Sequence, residues 1–155
     1  MRAAAPLASR VSVRSYTLDD APFVAELSDQ SFAEYGARPS RYTLSVLQRA
    51  STQAWLAVEA GTPLGLVVLE LAGPSAAVLA VAVIERARGR GIGGQLMQAA
   101  ERHARAQGVK QLTLFTADSN LAALDLFLRR GFRIVGRKPG FYSRRQDACQ
   151  LTKAL

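Results

Sequence analysis

Seven of the nine residues from 86 to 94 are glycine or arginine: Arg86, Arg88, Gly89, Arg90, Gly91, Gly93 and Gly94. They lie between an apolar run (77–84) and a helix-forming stretch (93–107). Backbone N–H groups at a helix start bind anions, and the helix dipole adds positive potential there. Glycine in a first helical turn costs about 1 kcal/mol relative to alanine. Several together indicate a use for bare backbone, here the cradling of a phosphate. The competing reading is a turn with solvated arginines. Gly89-x-Gly91-x-x-Gly94 formally matches the dinucleotide fingerprint. Two features count against it: residues 85–88 separate the strand from the first glycine, and only 66 residues follow Gly89, too few for a doubly wound sheet. No Gly-Lys-Ser/Thr follows, so a Walker A loop is excluded.

The whole chain, 155 residues with net charge +8, fits one domain. Charge is lopsided: residues 1–83 hold six Arg and seven Asp/Glu, whereas residues 84–155 hold 14 Arg/Lys and five Asp/Glu. That half expects an anion: nucleic acid, an acidic membrane surface or a polyphosphate cofactor. Few aromatics and no base-reading motif argue against nucleic acid. No apolar run reaches membrane-spanning length. With one cysteine (Cys149) and one histidine (His103), a disulfide framework and a Cys- or His-rich metal site are excluded; no metal is expected. Cys149 reads as a small core residue and His103, beside Arg102 and Arg105, as a half-solvated helix position.

These residues need elements to hold them. Residues 1–9 read as a flexible N-terminus without a signal peptide, so the chain is expected in the cytoplasm. Residues 10–155 form one α/β domain. Residues 11–14 alternate as a first strand. Leu18-Asp19-Asp20-Ala21-Pro22 starts a helix to about Ala33, with an Asp cap and Pro in the first turn, and residues 42–50 form a second. Strands at 54–60 and 64–71 are joined through Gly61-Thr62-Pro63. The run 77–84 is a central strand covered on both faces. Helix 93–107 closes at Gly108. A strand at 111–116 precedes helix 119–130, capped by Asp118 or Ser119 and ended by Gly131. Residues 132–135 and 148–151 are the last strands.

Arg88-Gly-Arg-Gly91-Ile-Gly93, after a long central strand, resembles the acetyl-CoA signature of the GCN5-related N-acetyltransferase (GNAT) superfamily, Arg/Gln-x-x-Gly-x-Gly/Ala. Downstream, Asn120-x-x-Ala123-x-x-x-Phe127-x-x-x-Gly131-Phe132 resembles the family's Asn-x-x-Ala-x-x-x-Tyr-x-x-x-Gly-Phe. The segment from Arg137 to Tyr142, followed by Asp147-Ala148, is similar to ribosomal-protein-alanine N-acetyltransferases.

The resemblance implies a mixed, mostly antiparallel sheet of six to seven strands with a splayed parallel pair, flanked by about four helices. It implies acetyl-CoA as co-substrate and a small-molecule or peptide amine as acceptor, attacked directly in a ternary complex. Dimers are frequent in the family, so a homodimer is consistent with it. The implied CoA contacts are Val81, Ala82 and Val83 along the pantetheine arm, Arg88, Gly89, Arg90, Gly91, Ile92, Gly93 and Gly94 at the pyrophosphate, and Asn120, Ala123 and Phe127 at the following helix. Val83 N–H would hold the developing oxyanion. Arg129 and Arg130 would reach the 3′-phosphate or simply end a helix. Tyr35, Arg38 and Tyr42 would line the acceptor site.

The sequence departs from the family at two proton-transfer positions. The usual general acid, a Tyr, is Phe127 here, and a Glu carried by ribosomal-protein-alanine relatives is Phe115. Such groups contribute about 10²–10⁴ each in rate. Tyr142 is then the candidate acid and Glu70 a candidate water-relayed base, with Glu85 the other nearby carboxylate. A thiol leaving group near pKa ~8.5 and an α-amine near ~7.7–8.0 would need little help. The alternative is a catalytically weak CoA-binding or sensing module.

Overall fold

The long middle strands are apolar at nearly every position, so each face needs its own helical layer. The computed structural model describes residues 10–36 and 38–155; the expected loose segment 1–9 lies outside them. Its elements are β1 (Val11–Ser15), α1 (Ala21–Phe32), α2 (Pro39–Leu47), β2 (Thr52–Glu59), β3 (Thr62–Ala72), β4 (Ser75–Val83), α3 (Ile92–Ala106), β5 (Gln111–Ala117), α4 (Leu121–Arg129), β6 (Arg133–Lys138) and β7 (Ala148–Ala154). One seven-stranded sheet runs β1-β2-β3-β4-β5-β7-β6. Only β4 and β5 pair in parallel. This is the α/β architecture that the resemblance implies.

Strand alternation divides the core in two. Ala54, Leu56 and Val58 of β2 and Leu66 and Val68 of β3 point toward Val24 and Leu27 of α1 and Val46 of α2. Ala57, Leu64, Val67 and Leu69 point the other way, against Ile92, Leu96, Met97 and Ala100 of α3. Phe127 of α4 belongs to that second layer, as does Cys149, 1% exposed. His103 packs beside Trp55, ring centroids 5.1 Å apart. Gly65 lets β3, β4 and α3 approach closely: a Cβ there would stand 2.9 Å from the Ala82 carbonyl oxygen and 3.0 Å from Leu96 Cδ1.

The feature that makes a site is where β4 leaves β5. Their pairing covers only Ser75–Val78 against Gln111–Leu114. Opposite, β3 pairs Val68 with Ala80 and Leu69 with Val78, so Leu79 is an extra, bulged residue. A bulge bends its strand, and here the bend coincides with the end of the parallel pairing. From Leu79 onward β4 offers a free edge.

Local chemistry shifts several boundaries. Asp20 does not cap α1 with its side chain. Its carboxylate takes both Arg14 Nη atoms at 2.8 Å and the Thr17 N–H at 2.9 Å, closing a 3-10 turn (Leu18–Asp20) before the helix. The guanidinium holds that carboxyl down at about 2. Helix α2 starts at Pro39 rather than at residue 42, because Asp29 Oδ1 accepts the Ser40 N–H at 2.9 Å. The β2–β3 turn is Ala60-Gly61, φ +50° and +79°, not Gly61-Thr62-Pro63; Thr62 and Pro63 already belong to the strand. Helix α4 is capped by Asn120, whose Oδ1 accepts the Ala123 N–H at 3.2 Å, not by Asp118 or Ser119. β6 and β7 each run three residues beyond their expected ends, since each pairs along its length with a partner.

Candidate active site

The gap between the splayed ends of β4 and β5 opens a cleft of about 530 Å³. Its floor is Val78 to Val81 on β4 and Leu114 to Ala117 on β5, while α4 supplies Ala123 and Phe127 and the residue before it supplies Asn120. Above lie Tyr35, Arg38 and Tyr42 from the α1–α2 region, with Phe141 and Tyr142 from the loop between β6 and β7. That loop is tied down: Gln146 donates to the Glu34 carbonyl at 2.6 Å, and Asp147 accepts the Gly140 N–H at 2.9 Å.

The free edge of β4 can be read group by group. Ile84 N–H donates to the Leu64 carbonyl at 2.8 Å. Antiparallel pairing alternates, so Ala82 also directs its N–H and C=O toward β3. Val81 and Val83 therefore present theirs to the open side. Arg88 Nε donates to the Val83 carbonyl at 3.0 Å, which leaves the Val83 N–H open. Val81 lines the cleft; Val83 lies beyond it, toward the glycine loop. Ala82 faces the α1–α2 core, so its side chain packs there while its backbone pairs with β3.

The loop after β4 contains a 3-10 turn (Glu85–Ala87), then Gly89 and Gly91 at φ +78° and +79°. A Cβ at either would meet no heavy atom within 4 Å. Space does not require glycine here; the left-handed backbone does. The first intrahelical bond of α3 runs from Gln95 N–H to the Gly91 carbonyl. Among the described residues, the N–H groups of Gly89, Arg90, Gly91, Ile92, Gly93 and Gly94 meet no protein acceptor. Gly93 packs against α4, where a Cβ would lie 3.1 Å from Leu126 Cδ2.

The arginines expected around this loop are mostly engaged. Arg90 forms an ion pair with Glu59 at 2.5 Å, which holds the Glu59 carboxyl below its usual range. Arg129 pairs with Asp125 one turn back, at 3.0 Å. Arg130 Nε bonds the buried Glu101 at 2.8 Å, and Lys153 contacts the same carboxylate. Arg130 Nη1 nevertheless lies 3.9 Å from the position of a Gly94 Cβ, so its outer nitrogen flanks the loop. Arg86 and Arg88 have no carboxylate partner among the described residues.

A model of the acetyltransferase (GNAT) family matches residues 16–132. The chain belongs to the GNAT family. Its fold is shared by Ard1 from Thermoplasma volcanium, at 25% identity, 94% coverage of this chain, 97% of that one and a TM-score of 0.82. The ribosomal-protein-S18-alanine N-acetyltransferase from Escherichia coli aligns at 20% identity, 94% coverage of each chain and a TM-score of 0.81. NAA60 from Arabidopsis thaliana, solved with acetyl-CoA, aligns at 18% identity, 94% and 99% coverage and a TM-score of 0.82. No curated protein matches the chain significantly.

Within this GNAT domain the structure gathers Tyr35, Arg38, Tyr42, Val81, Asn120, Ala123, Phe127 and Tyr142 around one cleft. Phe127 is 3% exposed and packs edge-on to Phe132. Glu70 is not brought there: it lies opposite Ala77 and Thr52, and its carboxylate bonds Arg49 at 2.8 Å. Glu85 sits in the 3-10 turn, also outside the lining. Burial pushes the Tyr142 phenol up to about 12, with the neighbouring Tyr35 as a lesser cause. Burial, then the Glu34 carboxylate, also raises the Tyr35 phenol.

Sequence reasoning missed Phe141 and Phe32 as lining residues. The Gly-Phe-Tyr stretch at 140–142 was the available signal for Phe141. Nothing local marked Phe32, which reads as one more apolar position of α1. No group of three or more metal-ligating side chains is clustered among the described residues, and no described helix is long and apolar enough to cross a membrane.

Proposed function

We propose that this GNAT protein is an acetyl-CoA-dependent N-acetyltransferase acting on a primary amine. The observation that carries the reading is two sets of unpaired backbone donors joined by the loop after β4. One is the β4 edge at Val81 and Val83, and the other is the six open N–H groups of residues 89–94. A ligand with an amide-bearing arm and a pyrophosphate would satisfy both parts. These residues fit acetyl-CoA, which when bound supplies a thioester carbonyl carbon as electrophile.

Gly89, Gly91, Gly93 and Gly94, with Arg90 and Ile92 through their backbone, would hold the pyrophosphate. Arg88 anchors the loop to β4. Val83 N–H serves the arm. The oxyanion contact expected of Val83 suits Val81 better, because Val81 faces the cleft that Tyr142 lines. Asn120 uses its oxygen as a helix cap, and its amide nitrogen remains to donate to the arm. Ala123 and Phe127 wall the thiol end.

Tyr142 stays protonated through the neutral range, since its phenol titrates at about 12. Full transfer of that proton to a thiolate of pKa ~8.5 runs uphill by roughly 3.5 units, about 5 kcal/mol. Tyr142 therefore works best as a relay: it gives its proton toward the departing sulfur and recovers one from the attacking amine nitrogen. No net proton is taken up. Most of the rate comes from holding amine and thioester together.

The test is CoA thiol release on mixing with acetyl-CoA and a panel of amines. Release above background supports transfer. Tight CoA binding with no release across the panel would favour a CoA-binding module instead, the reading that Phe127 and Phe115 motivate.

A further inference from the structure

The acceptor half of the cleft has an unusual chemical balance. Tyr35, Tyr142, Phe141 and Phe115 form a row, with successive ring centroids 5.2, 5.0 and 5.0 Å apart. Tyr35 and Tyr142 are tilted, Phe141 and Tyr142 edge-on, and Phe115 and Phe141 stacked. Lys138 Nζ lies 4.8 Å above the Phe115 ring and occupies the attraction which that face offers a cation. Among the described residues, no Asp or Glu lines the cleft. Among the described residues, the one charged lining side chain is Arg38, which makes no ion pair with any of them. Glu34 lies beside the Tyr35 hydroxyl but outside the lining.

This balance selects by charge and by surface. A polycation would bring ammonium groups into an apolar cleft with no carboxylate, and burying unpaired charge is costly. An aromatic or branched apolar body would cover the ring row. A carboxylate would meet Arg38, whose planar fork suits it. The same surroundings disfavour the ammonium form of the reacting amine, through desolvation and the nearby guanidinium. The neutral nucleophile is then favoured without the carboxylate base that Phe115 replaces.

We propose that the acceptor is a monoamine with an aromatic or branched apolar body and a carboxylate, its carboxylate bound by Arg38 and its body laid on the Tyr35–Tyr142–Phe141–Phe115 row. The proposal rests on the N-acetyltransferase reading and names the substrate class for it. The chemistry is that of an apolar α-amino acid.

The probes are phenylalanine, phenethylamine (the same body without the carboxylate) and spermidine. Two readouts are used: CoA release from acetyl-CoA, and calorimetric binding to protein saturated with CoA. Phenylalanine is expected to show the lowest KM and the tightest binding of the three. Arg38→Gln should reduce the preference for phenylalanine over phenethylamine by about tenfold, the worth of a weak charge-assisted contact. Arg38→Lys should keep part of it. Preference for spermidine, absence of phenylalanine binding, or an unchanged preference in Arg38→Gln would overturn the acceptor class. Acetylation of spermidine alone would overturn that class while sustaining the transferase. Phenylalanine binding that depends on Arg38, without transfer to any amine, would sustain the class and count against the transferase.

Discussion

Gly91 offers a controlled perturbation of the anion site, because two substitutions there share one defect and differ in a second. Its φ is +79° and a Cβ would meet nothing within 4 Å. Gly91→Ala therefore costs only the left-handed strain, about 1–2 kcal/mol of stability. Gly91→Glu carries the same strain and adds a carboxylate among the open N–H groups of residues 89–94. At an effective dielectric near 20 and a separation of about 5 Å, repulsion of one phosphate charge is about 3 kcal/mol, roughly 100-fold in affinity. Titration calorimetry with CoA at low salt should show Gly91→Ala within about tenfold of wild type. Gly91→Glu should bind about 100-fold more weakly than the alanine variant, and the gap should narrow as salt screens the charges. Equal CoA affinity in the two variants, with both folded by circular dichroism, would refute the placement of the pyrophosphate at this loop.

Other outcomes follow from named contacts. Tyr142→Phe should lower kcat by about 10²-fold and leave CoA affinity within about twofold. Because the phenol titrates at about 12, wild-type activity should rise as the acceptor amine deprotonates and show no acid-group decline near pH 10; a decline there, or an unchanged rate in the variant, would remove Tyr142 from the reaction. Gly65→Ala should destabilise by about 1–3 kcal/mol in urea titration, although Gly→Ala usually helps a strand, because the Ala82 carbonyl oxygen at 2.9 Å is backbone and cannot move aside. Glu101→Ala strands Arg130 and Lys153 around a site 2% exposed and should cost about 3 kcal/mol in urea titration. Asp20 is depressed from 3.8 to about 2, so its pair with Arg14 stabilises above pH 4 and the contribution fades as pH falls toward 2. With Arg14 partly solvated it is worth about 1 kcal/mol; Arg14→Met should remove that slope from the pH–stability curve.

The strand, turn and helix around the glycine loop were legible because they are local. Glycines at 89, 91, 93 and 94 and the helix-forming run after them state strand, turn and helix within twenty residues. Asn120 and Ala123 were singled out by the resemblance of residues 120–132 to the family motif, although only the structure shows that Asn120 serves first as the cap of α4. The acceptor end was less legible, because six separate segments build it: α1, the α1–α2 connection, α2, β5, α4 and the 139–147 loop. Phe115 and Phe141 meet only because β6 pairs beyond Val135 and carries the loop back across β5. The arginines misled in part. Sequence shows charge, but Arg90 and Arg130 have carboxylate partners, Glu59 and Glu101, 31 and 29 residues away. Glu70 was drawn toward the site by strand proximity, whereas its register places it opposite Ala77, beside Arg49.

The central claim is that the β4 edge and the start of α3 together bind acetyl-CoA for transfer to an amine in the adjoining cleft. The most direct measurement incubates wild type and Gly91→Glu with acetyl-CoA carrying a labelled acetyl group, together with the amine panel. The amine fraction is then read by mass spectrometry. The account predicts label on the amine nitrogen with wild type and loss of it with Gly91→Glu at the same sub-saturating acetyl-CoA. Equal labelling by both proteins would contradict it.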